Sequence, residues 1–127
     1  MKSQVLLHYL EFSRHNFCVA IGDTFKLAAV AAGKQRNLVP VLPTGDDAQA
    51  CASVDSAGGV ILLLSAHLNI PVIVHEVTHI TNAILINMGV KLTDESDEVF
   101  AHHNAMLMML IMQWLDKIGI TPSPYEL

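Results

Sequence analysis

The apolar pattern of the chain changes period near residue 70, and that change limits the possible folds more than any other feature. Upstream, Gly59-Val60-Ile61-Leu62-Leu63-Leu64 is a short unbroken apolar run, as a buried strand requires. Downstream, Ile73, Val77, Ile80, Ile84 and Met88 recur at three- and four-residue spacing, which gathers them on one helical face. A second periodic stretch follows through Val99, Met106, Met109, Ile111 and Leu115 to about Lys117. A strand followed by two amphipathic helices points to an α+β chain. The expected architecture is a small antiparallel or mixed sheet packed on a helical hairpin.

Punctuation residues set the boundaries. Pro71 suits the first turn of a helix, and Gly89 would end it. Thr93-Asp94-Glu95 offers an N-cap and first-turn acids for the second helix, which Gly119 and Pro122 would stop. Ala50–Val54 and Gly59–Leu64, joined through Asp55-Ser56-Ala57-Gly58, predict a hairpin. Phe17–Ile21 predicts a strand closed by Gly22-Asp23, then a helix capped by Asp23 or Thr24 and ended by Gly33. Two prolines in Leu38–Pro43 place that extended segment at a sheet edge or outside it.

At 127 residues the chain is expected to form one domain, residues 1–127. Hydrophobic residues at 52% against 15% charged exclude disorder. Its longest apolar stretches, Ala57–Leu64 and Ala105–Met112, fall short of the roughly 18–20 residues a spanning helix needs, so no membrane role is expected. A net charge of −5 with no Lys/Arg cluster argues against nucleic acid. Val5–Tyr9 is too short for a signal peptide, and Cys18 and Cys51 show no paired spacing. The expected compartment is a reducing cytoplasm.

Seven histidines are many for this length, and four lie between His75 and His103. His75-Glu76-Val77-Thr78-His79 is an H-E-x-x-H sequence within a predicted helix. Residues four apart share a helical face, so both imidazoles can reach one metal ion. Glu76, one step round, is placed to accept a proton from water that Zn²⁺ has acidified. Chance alone supplies about 0.01–0.02 such sequences in a chain of this composition. Two histidines and one carboxylate make a catalytic zinc site with a position left for water. The third ligand is expected from the second helix, where Glu95 and Glu98 stand beside Asp94 and Asp97. Glu98, nineteen residues after His79 and inside its predicted helix, is the choice, with Glu95 in reserve. His102, four residues further on, is a candidate fourth contact, a support for a ligand or a donor to substrate.

With Glu98-Val99-Phe100-Ala101, the motif resembles the gluzincin pattern, in which H-E-x-x-H is completed by a glutamate in an E-x-x-A or E-x-x-S context. The short chain, with its strand before the motif helix, resembles the small zincin-like proteins encoded by bacteriophages and prophages. The resemblance covers roughly Gly58 to Trp114. It implies a minimal zincin-like metallopeptidase core with His75, His79 and Glu98 as zinc ligands and Glu76 as general base, acting on a peptide or protein in the host cytoplasm. Gluzincins often carry Asp where this chain has His102, and the larger ones add a domain for which there is no room here. An extended substrate is expected to add to the strand around Val60–Leu64. The alternative is a non-catalytic zinc-stabilised accessory or interaction module.

Blander roles are available for several residues. Acids gather at helix starts for dipole reasons alone. His102-His103 fit a polar collar above the core, and His8, His15 and His67 fit surface or loop positions. Met106, Met108, Met109 and Met112 fill core gaps, but they surround their helix, so part of that surface is a candidate homo-oligomer contact. Trp114 is read as a packing residue.

Overall fold

A computed structural model describes residues 3–43 and 48–125. Strands β1 (Gln4–Leu10) and β2 (His15–Gly22) form a hairpin, and helix α1 (Phe25–Arg36) follows. A second hairpin comes next, β3 (Ala50–Asp55) and β4 (Gly58–Leu64). The chain ends with helices α2 (Ile70–Asn87) and α3 (Asp97–Lys117). The four strands form one mixed sheet in the order β1-β2-β4-β3. Both hairpins are antiparallel, and β2 and β4 run parallel at the centre. The architecture is α+β. Among the described residues, no helix is long and apolar enough to cross a membrane.

The two-residue alternation of the central strands sorts their side chains between two layers. Phe17, Val19, Ile21, Ile61 and Leu63 face α2 and α3, where Ile73, Val77, Ile80, Ile84, Leu107, Ile111 and Leu115 complete the larger core. Trp114 packs there too, as expected. Cys18, Ala20, Val60 and Leu62 face α1, which meets them with Ala28, Ala29 and Ala32. Alanines on α1 let that helix lie close to the sheet. The expected strand–strand–helix sequence is observed, and β1 is an additional strand that the sequence reading did not assign.

Helix ends follow local chemistry. Thr24 caps α1, its Oγ1 accepting from Leu27 N at 3.1 Å. Gly33 does not end that helix. The helix runs on to Arg36, and Asn37, left-handed at φ 56°, donates its amide to Gly33 O at 2.9 Å. The missing Cβ at Gly33 instead makes room for Val39. Asn69, fully buried, caps α2 by accepting from Val72 N at 2.9 Å, with Pro71 in the first turn. Gly89 and Gly119 stop α2 and α3 as expected. In each case the next residue's amide reaches back, Val90 N to Leu85 O and Ile120 N to Leu115 O, both at 2.9 Å. The segment after α3 then crosses the start of α2, with Ile70 N donating to Ser123 O at 2.8 Å and Ser123 N to Leu68 O at 3.1 Å.

The start of α3 departs from expectation. Thr93 is not its cap; Thr93 and Ser96 close a turn on each other, and the helix begins at Asp97. Glu98 therefore lies in the first turn and Glu95 before the helix. The acids still sit where the helix dipole favours them.

At the start of β4, Gly58 has φ 121°, and a Cβ there would overlap the Asn16 carbonyl of β2. Gly58→Ala combines a forbidden backbone region with a backbone clash, so we expect a loss of about 2–4 kcal/mol in urea unfolding. A change below about 0.5 kcal/mol would mean the turn repositions freely.

At the far end, the turn between β1 and β2 rests on α3. Phe12 meets His103 with ring centroids 6.0 Å apart. His103 is buried rather than part of a collar, and His15 is a half-buried strand residue rather than a loop one. Burial, with His15 nearby, holds the His103 imidazole below its usual 6.5. The folded chain therefore binds that proton less readily than the unfolded chain. Stability should be intact above 6.5 and fall as pH drops from there toward the lowered value. Urea midpoints across that window should slope in the wild type and flatten in His103→Phe.

Candidate metal and catalytic site

The H-E-x-x-H residues lie in the middle of α2. Ile73, Val77, Ile80 and Ile84 face the sheet, and the helical pitch decides where the rest of the motif points. Glu76 falls on the flank of that buried face, toward β3, and is 8% exposed. His75 and His79 fall one step outward and are exposed. Their rings meet edge to face with centroids 4.7 Å apart, and the two Nε2 atoms are 3.1 Å apart. Two nitrogens bound tetrahedrally at about 2.0–2.1 Å to one zinc would be about 3.3–3.4 Å apart. The imidazole pair fits a shared ion with little adjustment.

Glu76 has a different environment. Burial pushes its carboxyl above the ordinary range, and His75 and His79 oppose that shift when charged. A carboxyl so placed is a stronger base than a free one once ionised, as proton abstraction requires.

A groove runs between β3 and α2 with Glu76 in its wall. One section of about 380 Å³ is bounded by Gln49, Ala50, Val72, His75 and Glu76. The next, about 400 Å³, is bounded by Ala52, Val54, Glu76, His79 and Ala83. The sections share Ala50 and Glu76, so the carboxyl sits where they join. Sequence reasoning missed this wall. Its signal is Ala50 and Ala52, small side chains on the α2 face of an edge strand that leave space beside the helix. The Cys51 thiol is held up mainly by burial and secondarily by the Glu76 carboxylate.

The expectation that Val60–Leu64 offers an edge is corrected. β4 is paired on both sides, by β2 and by β3, so it has no free edge. The open edge beside the motif belongs to β3. The remaining expected ligand, Glu98, is highly exposed and pairs with His102 at 3.5 Å. Among the described residues, no three His, Cys, Asp or Glu side chains are arranged to hold a metal ion. His75, Glu76 and His79 are thus brought together, and Glu98 is not brought to them. No family model, curated protein or solved structure matches the chain.

Proposed function

We propose that the chain is a zinc-dependent hydrolase of peptide bonds with a zincin-like site on α2. The observation that carries this reading is the convergence of His75 and His79 Nε2, 3.1 Å apart, next to a buried carboxyl that faces a groove. His75 and His79 would hold the ion as neutral imidazoles protonated at Nδ1. Glu98 is the proposed third ligand, and ligation requires it to leave His102 and approach α2. Zinc, when bound, supplies a Lewis acid that polarises a carbonyl and acidifies water.

The chain's own residues account for the remaining steps. An extended peptide pairs with the open edge of β3, which sets its backbone along the groove. Glu76 accepts a proton at its carboxylate from the water that attacks the scissile carbonyl. It then returns that proton to the departing amine nitrogen. Its partly desolvated position favours the protonated carboxyl, which carries the proton between the two transfers.

Metal content tests the ligand set. Protein prepared without chelator or nickel resin should carry about one zinc per chain, and His79→Ala should lose both the zinc and the thermal stabilisation that zinc gives. Glu98→Ala should weaken zinc binding by more than about tenfold, whereas Glu95→Ala should cost only a dipole contribution of about 0.3–1 kcal/mol. Unchanged affinity in Glu98→Ala would remove Glu98 from the set. Zinc that raises the melting temperature without any accompanying hydrolysis would favour a zinc-stabilised interaction module.

A further inference from the structure

Helices α2 and α3 cover one face of the sheet, and each carries a pair of metal-binding side chains that points away from the core. On α2 the buried arc runs from Glu76 through Val77 and Ile84 to Leu85. At about 100° per residue, His75, His79 and Ile86 fall opposite its centre. On α3 the buried arc is Phe100, His103, Leu107, Ile111, Trp114 and Leu115, and Glu98, His102 and Met109 fall opposite it. Glu98 Oε2 and His102 Nε2 are 3.5 Å apart. Two donors on one tetrahedral zinc stand about 3.3–3.4 Å apart, so this pair too has the spacing of a shared ion. Among the described helices it is the one exposed pair of such residues at four-residue spacing besides His75–His79.

One chain holds the two pairs apart. Ile70 N donates to Ser123 O, so the end of α3 lies at the start of α2 and the helices run antiparallel. His75 and His79 stand five and nine residues from the start of α2. His102 and Glu98 stand fifteen and nineteen residues from the end of α3. At about 1.5 Å per residue the pairs are roughly 15 Å apart along the helices, beyond the reach of a glutamate side chain. We infer that zinc links two copies of this chain through their helix faces, His75 and His79 of one copy holding the ion together with Glu98 and His102 of the other.

The same face supplies the rest of the contact. By the same rise per residue, Ile86 lies level with Glu98–His102, and Met109 level with His75–His79. A two-fold axis lying in the face, close to the line from Ile86 to Met109, exchanges the other two corners. Each copy's imidazole pair then meets the other's Glu98–His102, forming two identical sites. Ile86 and Met109, 62% and 52% exposed, pack near their own copies at the axis. Charge makes the contact depend on the ion. No Lys or Arg lies on α2, whereas the approach to α3 carries Asp94, Glu95, Asp97 and Glu98. Two neutral imidazoles holding Zn²⁺ turn the α2 face cationic, the complement of those acids. The inference rests on the zinc site proposed above and names whose α2 Glu98 approaches. With His102 as fourth ligand the ion keeps no open position, so the linked form is the resting form of that site.

Light scattering during size-exclusion chromatography, with zinc measured in each peak, tests the inference. Chelator-treated wild type should run at the 13.8 kDa chain mass, and one equivalent of zinc should double it. Two double variants at exposed positions separate the halves of the site: His75→Ala with His79→Ala, and Glu98→Ala with His102→Ala. Each alone should stay at the single-chain mass in zinc. Mixed in equal amounts, they should reach the two-chain mass with one zinc per two chains, because one complete site forms between them. Glu95→Ala should link as the wild type does. Wild type that binds zinc at the single-chain mass would overturn the inference and leave the His75–His79 site standing. Wild type that binds no zinc would overturn both. A mixture that stays at the single-chain mass, a wild type linked without zinc, or a Glu95→Ala chain that does not link would each overturn the inference alone.

Discussion

Glu76→Gln should abolish chelator-sensitive cleavage of unstructured peptides, a loss of about 10²–10⁴-fold, at unchanged zinc content. Glutamine keeps the shape but cannot take the proton. The same substitution should raise the stability of the metal-free protein at neutral pH. Burial lifts the Glu76 carboxyl above its ordinary 4.5, so the folded chain binds that proton more tightly than the unfolded chain. Stability then falls as pH rises from 4.5 toward the raised value, and the full penalty applies above it. The variant should therefore outlast the wild type in urea at neutral pH and match it below the ordinary carboxyl value. A variant that is inactive but no more stable would place Glu76 in a wetter setting than the groove. An active variant would end its role as the base.

The second large effect belongs to the layer under α1. The Arg36 side chain is 1% exposed, with its Nη2 paired to Asp55 at the end of β3. Asp55 also accepts from Ala57 N at 3.0 Å, holding the turn into β4. Asp55→Ala leaves a buried guanidinium without its counter-charge, and we expect it to cost about 3–5 kcal/mol in urea unfolding. The adjacent Cys18 thiol gives a second readout. Burial pushes it up to about 11, with Arg36 lowering it and Asp55 raising it. Removing Asp55 should bring the thiol down, which thiolate absorbance followed through an alkaline pH titration would register. Arg36→Met together with Asp55→Ala should recover much of the lost stability, since no charge then remains unpaired. Failure of the double variant to recover would assign the loss to the turn rather than the ion pair.

The sequence made the strand–helix alternation legible because its apolar periods differ and its caps are local. Pro71, Gly89, Gly119 and Thr24 act within a single turn of chain, so their effects follow from neighbouring residues. Gly33 misled because its role depends on Val39, which packs where a Cβ would stand. β1 is not legible in the sequence because Leu6-Leu7-His8-Tyr9 has no clean alternation, and its pairing with β2 is a tertiary fact. At the site, four-residue spacing was enough to bring His75 to His79. Strand order is not written in any one segment, so apolar character alone points to β4 as the free edge, whereas that edge belongs to β3. Glu98 depends on how α3 approaches α2, which no spacing along the chain specifies.

The crossing of the chain end over the start of α2 couples two segments far apart in sequence. Ile70 N would otherwise be one of the unpaired amides at a helix entrance, open to solvent exchange. Bound to Ser123 O, it can exchange only when residues near 123 lift away. In a hydrogen-exchange experiment that single amide would register detachment of the tail, independently of fraying along the helix. Force applied at the C-terminal end would likewise reach the entrance of the motif helix before it reached the sheet. A cargo fused there would pull on the segment five residues ahead of His75.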